Sequence, residues 1–134
     1  MKSPCLDMRL ALIIFGFLLS MPAFGQGQKG NATAIEIAML PKFCLSEYLD
    51  NLPAGPEYRI EGCGVTTNHY CWGLVKLNRA KKAKTKNEKR QNLERARVDT
   101  FYTLNSMKDY PACAIRPHVD ATLAQIEGML RAIK

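Results

Sequence analysis

Histidine and tryptophan are almost missing from this chain: 134 residues hold two histidines and one tryptophan. With only His69 and His118 available, and no C-x2-C or H-x3-H pair, a closely spaced zinc site is excluded. The cysteines form neither a C-x-x-C thiol-exchange motif nor a C-x-x-C-H haem attachment motif. Paired carboxylates, a Ser-His-Asp set and a glycine-rich phosphate cradle are likewise not visible. No segment alternates apolar and polar residues for long enough to read as a half-buried strand. The longest apolar run, Leu10 to Leu19, has about half of the roughly 20 residues that a membrane-spanning helix needs. These absences point to a non-enzymatic chain without cofactor or metal.

That short run is informative in its setting. Lys2 and Arg9 stand before it against a single Asp7, Ser20-Met21-Pro22 breaks it, and Ala23-Phe24-Gly25 places small residues three and one before a cut. This is the layout of a cleavable signal peptide over residues 1–25. Removing it from the 134 residues leaves 109 that begin at Gln26, enough for one domain with a modest core. Cys5 departs with the leader, and no cysteine follows the apolar run to accept a lipid. Cys44, Cys63, Cys71 and Cys113 remain. In an oxidising compartment four cysteines read as two bridges, with three connectivities open. The expected location is periplasmic or secreted, as in a Gram-negative bacterium.

Residues 26–33 are polar and glycine-rich and read as a disordered lead-in, followed by a single helical domain over 34–134. Ile35, Ile37, Ala38 and Leu40 suggest a short helical turn, and Pro41 can open a second short helix through Leu49. Residues 51–64 are loop by composition. Three longer helices are expected after it. Asn68 or Thr67 caps the first, with Tyr70, Cys71, Leu74, Leu77 and Ala80 on one stripe and Gly73 permitting close helix approach. The second runs from about Glu88 to Lys108, with Leu93, Ala96, Thr100, Phe101 and Leu104 on one side. Pro117 starts the last, where Val119, Leu123, Ile126, Leu130 and Ile133 form an amphipathic stripe. The fold class is all-α.

Charge is unevenly placed. Without the leader the chain carries 17 basic and 11 acidic residues, yet residues 76–97 alone hold ten basic residues against Glu88 and Glu94. The basic character therefore belongs to one helix–turn–helix corner. Three readings of it stay open: a solvated face, a dock for an acidic partner or anionic surface, and a nucleic-acid site. Export and the scarcity of interleaved aromatics weigh against the last, so no nucleic acid is expected.

The segment Asn68-His-Tyr-Cys-Trp-Gly-Leu-Val-Lys-Leu-Asn-Arg-Ala80 resembles a motif of small exported bacterial proteins. In that group a His-Tyr-Cys-Trp-Gly-Leu…Asn-Arg-Ala helix opens a tetratricopeptide-like array. Leu40-Pro41-Lys42-Phe43-Cys44 is similar to their upstream Leu-Pro-x-aromatic-Cys element. The resemblance spans roughly Ala34 to Lys134. Trp72-Gly73-Leu74 departs from the spacing of a standard repeat, and about one and a half helix pairs fall short of the usual three repeats. The resemblance implies a short helical array that is stapled, or completed by a partner. It also implies that Cys44 pairs with Cys71, and with it Cys63 with Cys113; a Cys63–Cys71 bridge is the competing pairing.

The leading functional expectation is an exported helical protein-interaction module whose partner is an unidentified envelope protein or a second copy completing the array. Tyr70, Trp72, Lys76, Arg79, Lys81, Lys82, Lys84 and Lys86 are the candidate partner-binding residues. An aromatic pair such as Tyr70–Trp72 at a helix start is otherwise core, and the lysines otherwise a solvated face. Two alternatives remain: an electrostatic binder of anionic envelope polymer or membrane through residues 76–97, and a small hydrolase or redox protein around His69 and Cys71.

Overall fold

The computed structural model describes residues 31–64 and 66–133. The expected signal peptide, the cut before Gln26 and the first part of the lead-in lie outside the described residues. Those described form helices and loops and no strand, so the chain is all-α. Helix α1 (Ala34–Ala38) and a 3-10 helix (Lys42–Glu47) precede a loop with one further 3-10 turn (Pro56–Tyr58). Then come α2 (Thr67–Lys82), α3 (Lys86–Ser106), a 3-10 turn (Met107–Asp109) and α4 (Arg116–Ala132).

Five residues cannot sustain a helix alone, and α1 is held by its ends and its buried side. The Thr33 hydroxyl accepts from the Glu36 N–H at 3.3 Å, while the Thr33 N–H donates to the Glu36 carboxylate at 2.8 Å, a reciprocal capping box. Ala32, Ile37 and Leu40 are buried. Residues 31–33, expected in the disordered lead-in, thus belong to the folded unit, because Ala32 is core and Thr33 is the cap. Pro41 stands at the N-cap of the expected short helix, which is a 3-10 helix and ends at Glu47 rather than Leu49.

Only Ala83–Thr85 separates α2 from α3, and a connection this short turns the second helix back antiparallel. Thr85 caps α3 by accepting the Glu88 N–H at 3.1 Å, so the helix starts two residues before the expected Glu88. Leu93, Ala96, Thr100 and Thr103 of α3, and Met107 after it, are fully buried. Phe101, expected on that side, is exposed. It lies roughly 80° around the axis from Leu93, whereas Ala96 and Thr103 lie roughly 60–80° the other way. The two helices approach tightly at Gly73, where a methyl group would stand 2.8 Å from the Thr100 hydroxyl and 3.2 Å from the Ala96 carbonyl oxygen. Helix α4 buries Val119 and Ile126, with Ile133 buried at its end, while Leu123 and Leu130 are half-buried.

Three apolar clusters follow the chain. The first joins α1 and the Lys42–Glu47 turn to α2 through Ile37, Leu40, Tyr48 and Val75, around Cys44–Cys71. The second gathers Tyr70, Met107, Ile115 and Val119 around Cys63–Cys113. The third packs Leu77, Ala80, Leu93, Ala96, Ile126 and Ile133 where α2, α3 and α4 meet. Cα separations of 5.5 and 4.5 Å suit the two bridges. This is the connectivity implied by the resemblance, and the competing Cys63–Cys71 bridge does not form. Gly62 and Gly64 take left-handed backbone, with φ of 69° and 72°, which lets the loop reverse on both sides of Cys63.

Candidate partner-binding face

Antiparallel α3 and α4 leave a furrow along their outer side. At one end, about 570 Å³ of open space is bounded by Val98, Phe101 and Tyr102 from α3 and Leu123 from α4. At the other, about 330 Å³ lies between Arg90 and Arg97 on one wall and Leu130 and Arg131 on the other. Arg97 and Glu127 line both ends, and their 3.7 Å ion pair crosses the middle. Val98, Phe101 and Tyr102 are 63%, 58% and 52% exposed. Spaced i, i+3 and i+4, they share one side of α3 and form an unburied apolar stripe.

Tyr102 also closes a second arrangement. The His69 ring sits between Trp72 and Tyr102, with centroids 4.6 and 4.3 Å away. His69 Nδ1 is 3.5 Å from one oxygen of Asp99, and Lys76 Nζ donates to the other. Asp99 is buried yet doubly partnered, which offsets the desolvation of its charge. The cluster fastens α2 to α3. Cys71 is fully buried and its sulfur is bridged to Cys44, so it offers no thiolate beside His69. Among the described residues no three His, Cys, Asp or Glu side chains gather as a metal site.

The expected binding residues separate into four environments. Tyr70 is 3% exposed and belongs to the core. Its hydroxyl donates to the His118 carbonyl at 3.3 Å and shares a hydrogen bond with Thr122 at 2.9 Å, and burial raises its pKa. It is not available to a partner: the polar tip is satisfied inside and the ring packs in the cluster around the second bridge. Trp72 is half-buried against the first cluster. Lys76 and Arg79 are engaged internally. Arg79 Nε donates to Glu36 at 2.5 Å, its Nη2 donates to the second Glu36 oxygen at 3.0 Å and to the Asn31 carbonyl. That hydrogen bond, reinforced by the Thr33 cap, draws the Glu36 pKa down from 4.5 to about 2, and it raises that of Arg79. Nearby, burial pushes the Tyr48 hydroxyl up to about 12. Lys81, Lys82, Lys84 and Lys86 are exposed around the α2–α3 turn.

The furrow residues Val98, Phe101 and Tyr102 were not singled out as a binding face by sequence reasoning. The available signal was their angular position: they form their own i, i+3, i+4 stripe, offset from Leu93, Ala96, Thr100 and Thr103. No protein-family model matches the chain, and no curated protein or solved structure shows significant similarity to it.

Proposed function

We propose that the chain is an exported, non-enzymatic helical interaction module that docks a protein partner in the α3–α4 furrow. The observation that carries this reading is the exposed Val98–Phe101–Tyr102 stripe, an apolar area left in solvent beside the packed face of α3. Export is supported by the leader layout in residues 1–25 and by two bridges of the kind kept in oxidising compartments. No helix among the described residues is long and apolar enough to cross a membrane. The resemblance to exported tetratricopeptide-like proteins supports the same reading, since helix faces are what such arrays use for binding.

The test is recovery from envelope extract with tagged protein and its Phe101→Ser/Tyr102→Ser variant, at low and high salt. Docking through the furrow is expected to survive salt and to be lost in the variant. A second reading, electrostatic binding of anionic envelope polymer or membrane, is favoured by the exposed Lys81, Lys82 and Lys84; that binding would vanish with screening and ignore the variant.

A further inference from the structure

We infer that a second surface, on the outward side of α1, seats the protein on an anionic lipid bilayer. Ile35 and Met39 enter the headgroup boundary, and lysines of the α2–α3 turn meet the lipid phosphates. This surface shares no residue with the furrow and does not rest on docking there. Helix α1 turns Ile37 into the core. At about 100° per residue, Ile35 and Met39 each lie roughly 160° around the axis from it, so both stand on the side facing away from the protein. Ile35 is 72% exposed and Met39 50%. A short surface helix ordinarily sets polar residues on that side. Neither residue belongs to the capping box or to the buried cluster that holds α1 in place, so folding gives no reason for them to be apolar.

Cations border this apolar side. Lys82 Nζ donates to Met39 Sδ at 3.2 Å, which brings the α2–α3 turn, with exposed Lys81 and Lys84, beside the end of α1. No carboxylate occurs from Thr67 to Asn87. From Asn31 to Ser46 the one carboxylate is Glu36, and Arg79 takes both of its oxygens. Glu88, the first carboxylate after the turn, sits in the first turn of α3, where the helix dipole favours it. The dipole of α2 likewise favours Lys81 and Lys82 in its last turn. It accounts neither for Lys84, beyond the helix end, nor for the apolar pair. A bilayer surface accepts both at once: apolar side chains enter the acyl boundary while ammonium groups meet headgroup phosphates. A soluble polyanion would use the lysines alone and leave Ile35 and Met39 in water.

The test is co-sedimentation of the oxidised protein, recovered after export, with vesicles containing phosphatidylglycerol and with vesicles of phosphatidylcholine alone. Soluble polyphosphate serves as a parallel arm. Binding is expected on the phosphatidylglycerol vesicles only. Lys81→Gln/Lys82→Gln/Lys84→Gln should weaken it roughly a hundredfold, and Ile35→Ser/Met39→Ser about tenfold. Met39→Leu keeps the apolar surface and should bind as the native chain does. Phe101→Ser/Tyr102→Ser, which removes furrow docking, should leave vesicle binding unchanged. Thermal melts confirm that the variants stay folded. No binding to the anionic vesicles, or equal binding to both kinds, overturns the inference. Vesicle binding indifferent to Ile35→Ser/Met39→Ser, with polyphosphate bound as tightly, overturns it in favour of an anionic polymer. Vesicle binding lost in the furrow variant moves the contact to α3 and overturns the α1 seat.

Discussion

Replacing Gly73 with alanine is expected to destabilise the protein, although alanine is the better helix former by about 1 kcal/mol. The added methyl would lie 2.8 Å from the Thr100 hydroxyl and 3.2 Å from the Ala96 carbonyl. Neither neighbour yields readily: Thr100 is fully buried and β-branched, with little χ1 freedom, and the carbonyl is backbone. Helices α2 and α3 must separate locally, and overpacking of this kind costs about 1–3 kcal/mol. Set against the helix gain, the net loss is of order 1 kcal/mol. Urea unfolding of Gly73→Ala, Thr100→Ala and the pair separates the terms. Thr100→Ala removes the nearest clash, so the double variant should be more stable than the sum of the singles predicts, by about 1 kcal/mol. A raised urea midpoint for Gly73→Ala alone, or strict additivity, would refute the close approach as the reason for the glycine.

The remaining predictions concern a hydroxyl, an ion pair, the bridges and the turn. Thr100 Oγ1 is buried without a hydrogen-bond partner among the described residues, so Thr100→Val should stabilise by about 1 kcal/mol in the same urea assay. Glu36 has its pKa drawn down to about 2, so its stabilisation is present above pH 4.5 and fades as pH falls towards 2. Glu36→Gln should flatten that limb of a pH–stability curve by about 1–2 kcal/mol, allowing for solvent screening at the partly exposed Arg79. Bridges spanning 27 and 50 residues stabilise by roughly 3.6 and 4.1 kcal/mol in the chain-entropy account, so replacing either Cys pair by serine should lower the melting temperature steeply. Neutralising Lys81, Lys82, Lys84 and Lys86 together should leave stability within about 1 kcal/mol; a large drop in melting temperature would show the turn to be packed.

What the sequence discloses is what local physics writes into it. Helical spacing placed Leu93, Ala96, Val119 and Ile126 in the core, and Gly73 was legible as a site of close approach. The turn between α2 and α3 was announced by the polar run from Lys81 to Asn87. Phe101 was assigned to the wrong side because hydrophobicity outweighed angle: it looks like core by type and is surface by position. Tyr70 was offered to a partner because it stands beside Trp72 in an aromatic pair at a helix start, and nothing local reveals that its hydroxyl meets that of Thr122 inside the fold. The Arg79–Glu36 pair joins residues 43 positions apart, a separation over which no periodicity speaks. The furrow itself is a relation between two helices, and no single segment contains it.

The order of the cysteines along the chain has a consequence for how the fold is reached. Cys44, Cys63, Cys71 and Cys113 pair first with third and second with fourth, so the two covalent loops interleave. A chain delivered N-terminus first into an oxidising compartment presents Cys44 and Cys63 to each other before either correct partner has emerged. Consecutive pairing at that moment forms the wrong crosslink, and escape requires a thiolate to attack it and exchange. Uncatalysed rearrangement takes minutes to hours. Maturation is therefore expected to be limited by reshuffling, with refolding from the reduced state accelerated by a disulfide isomerase much more than by an oxidant alone.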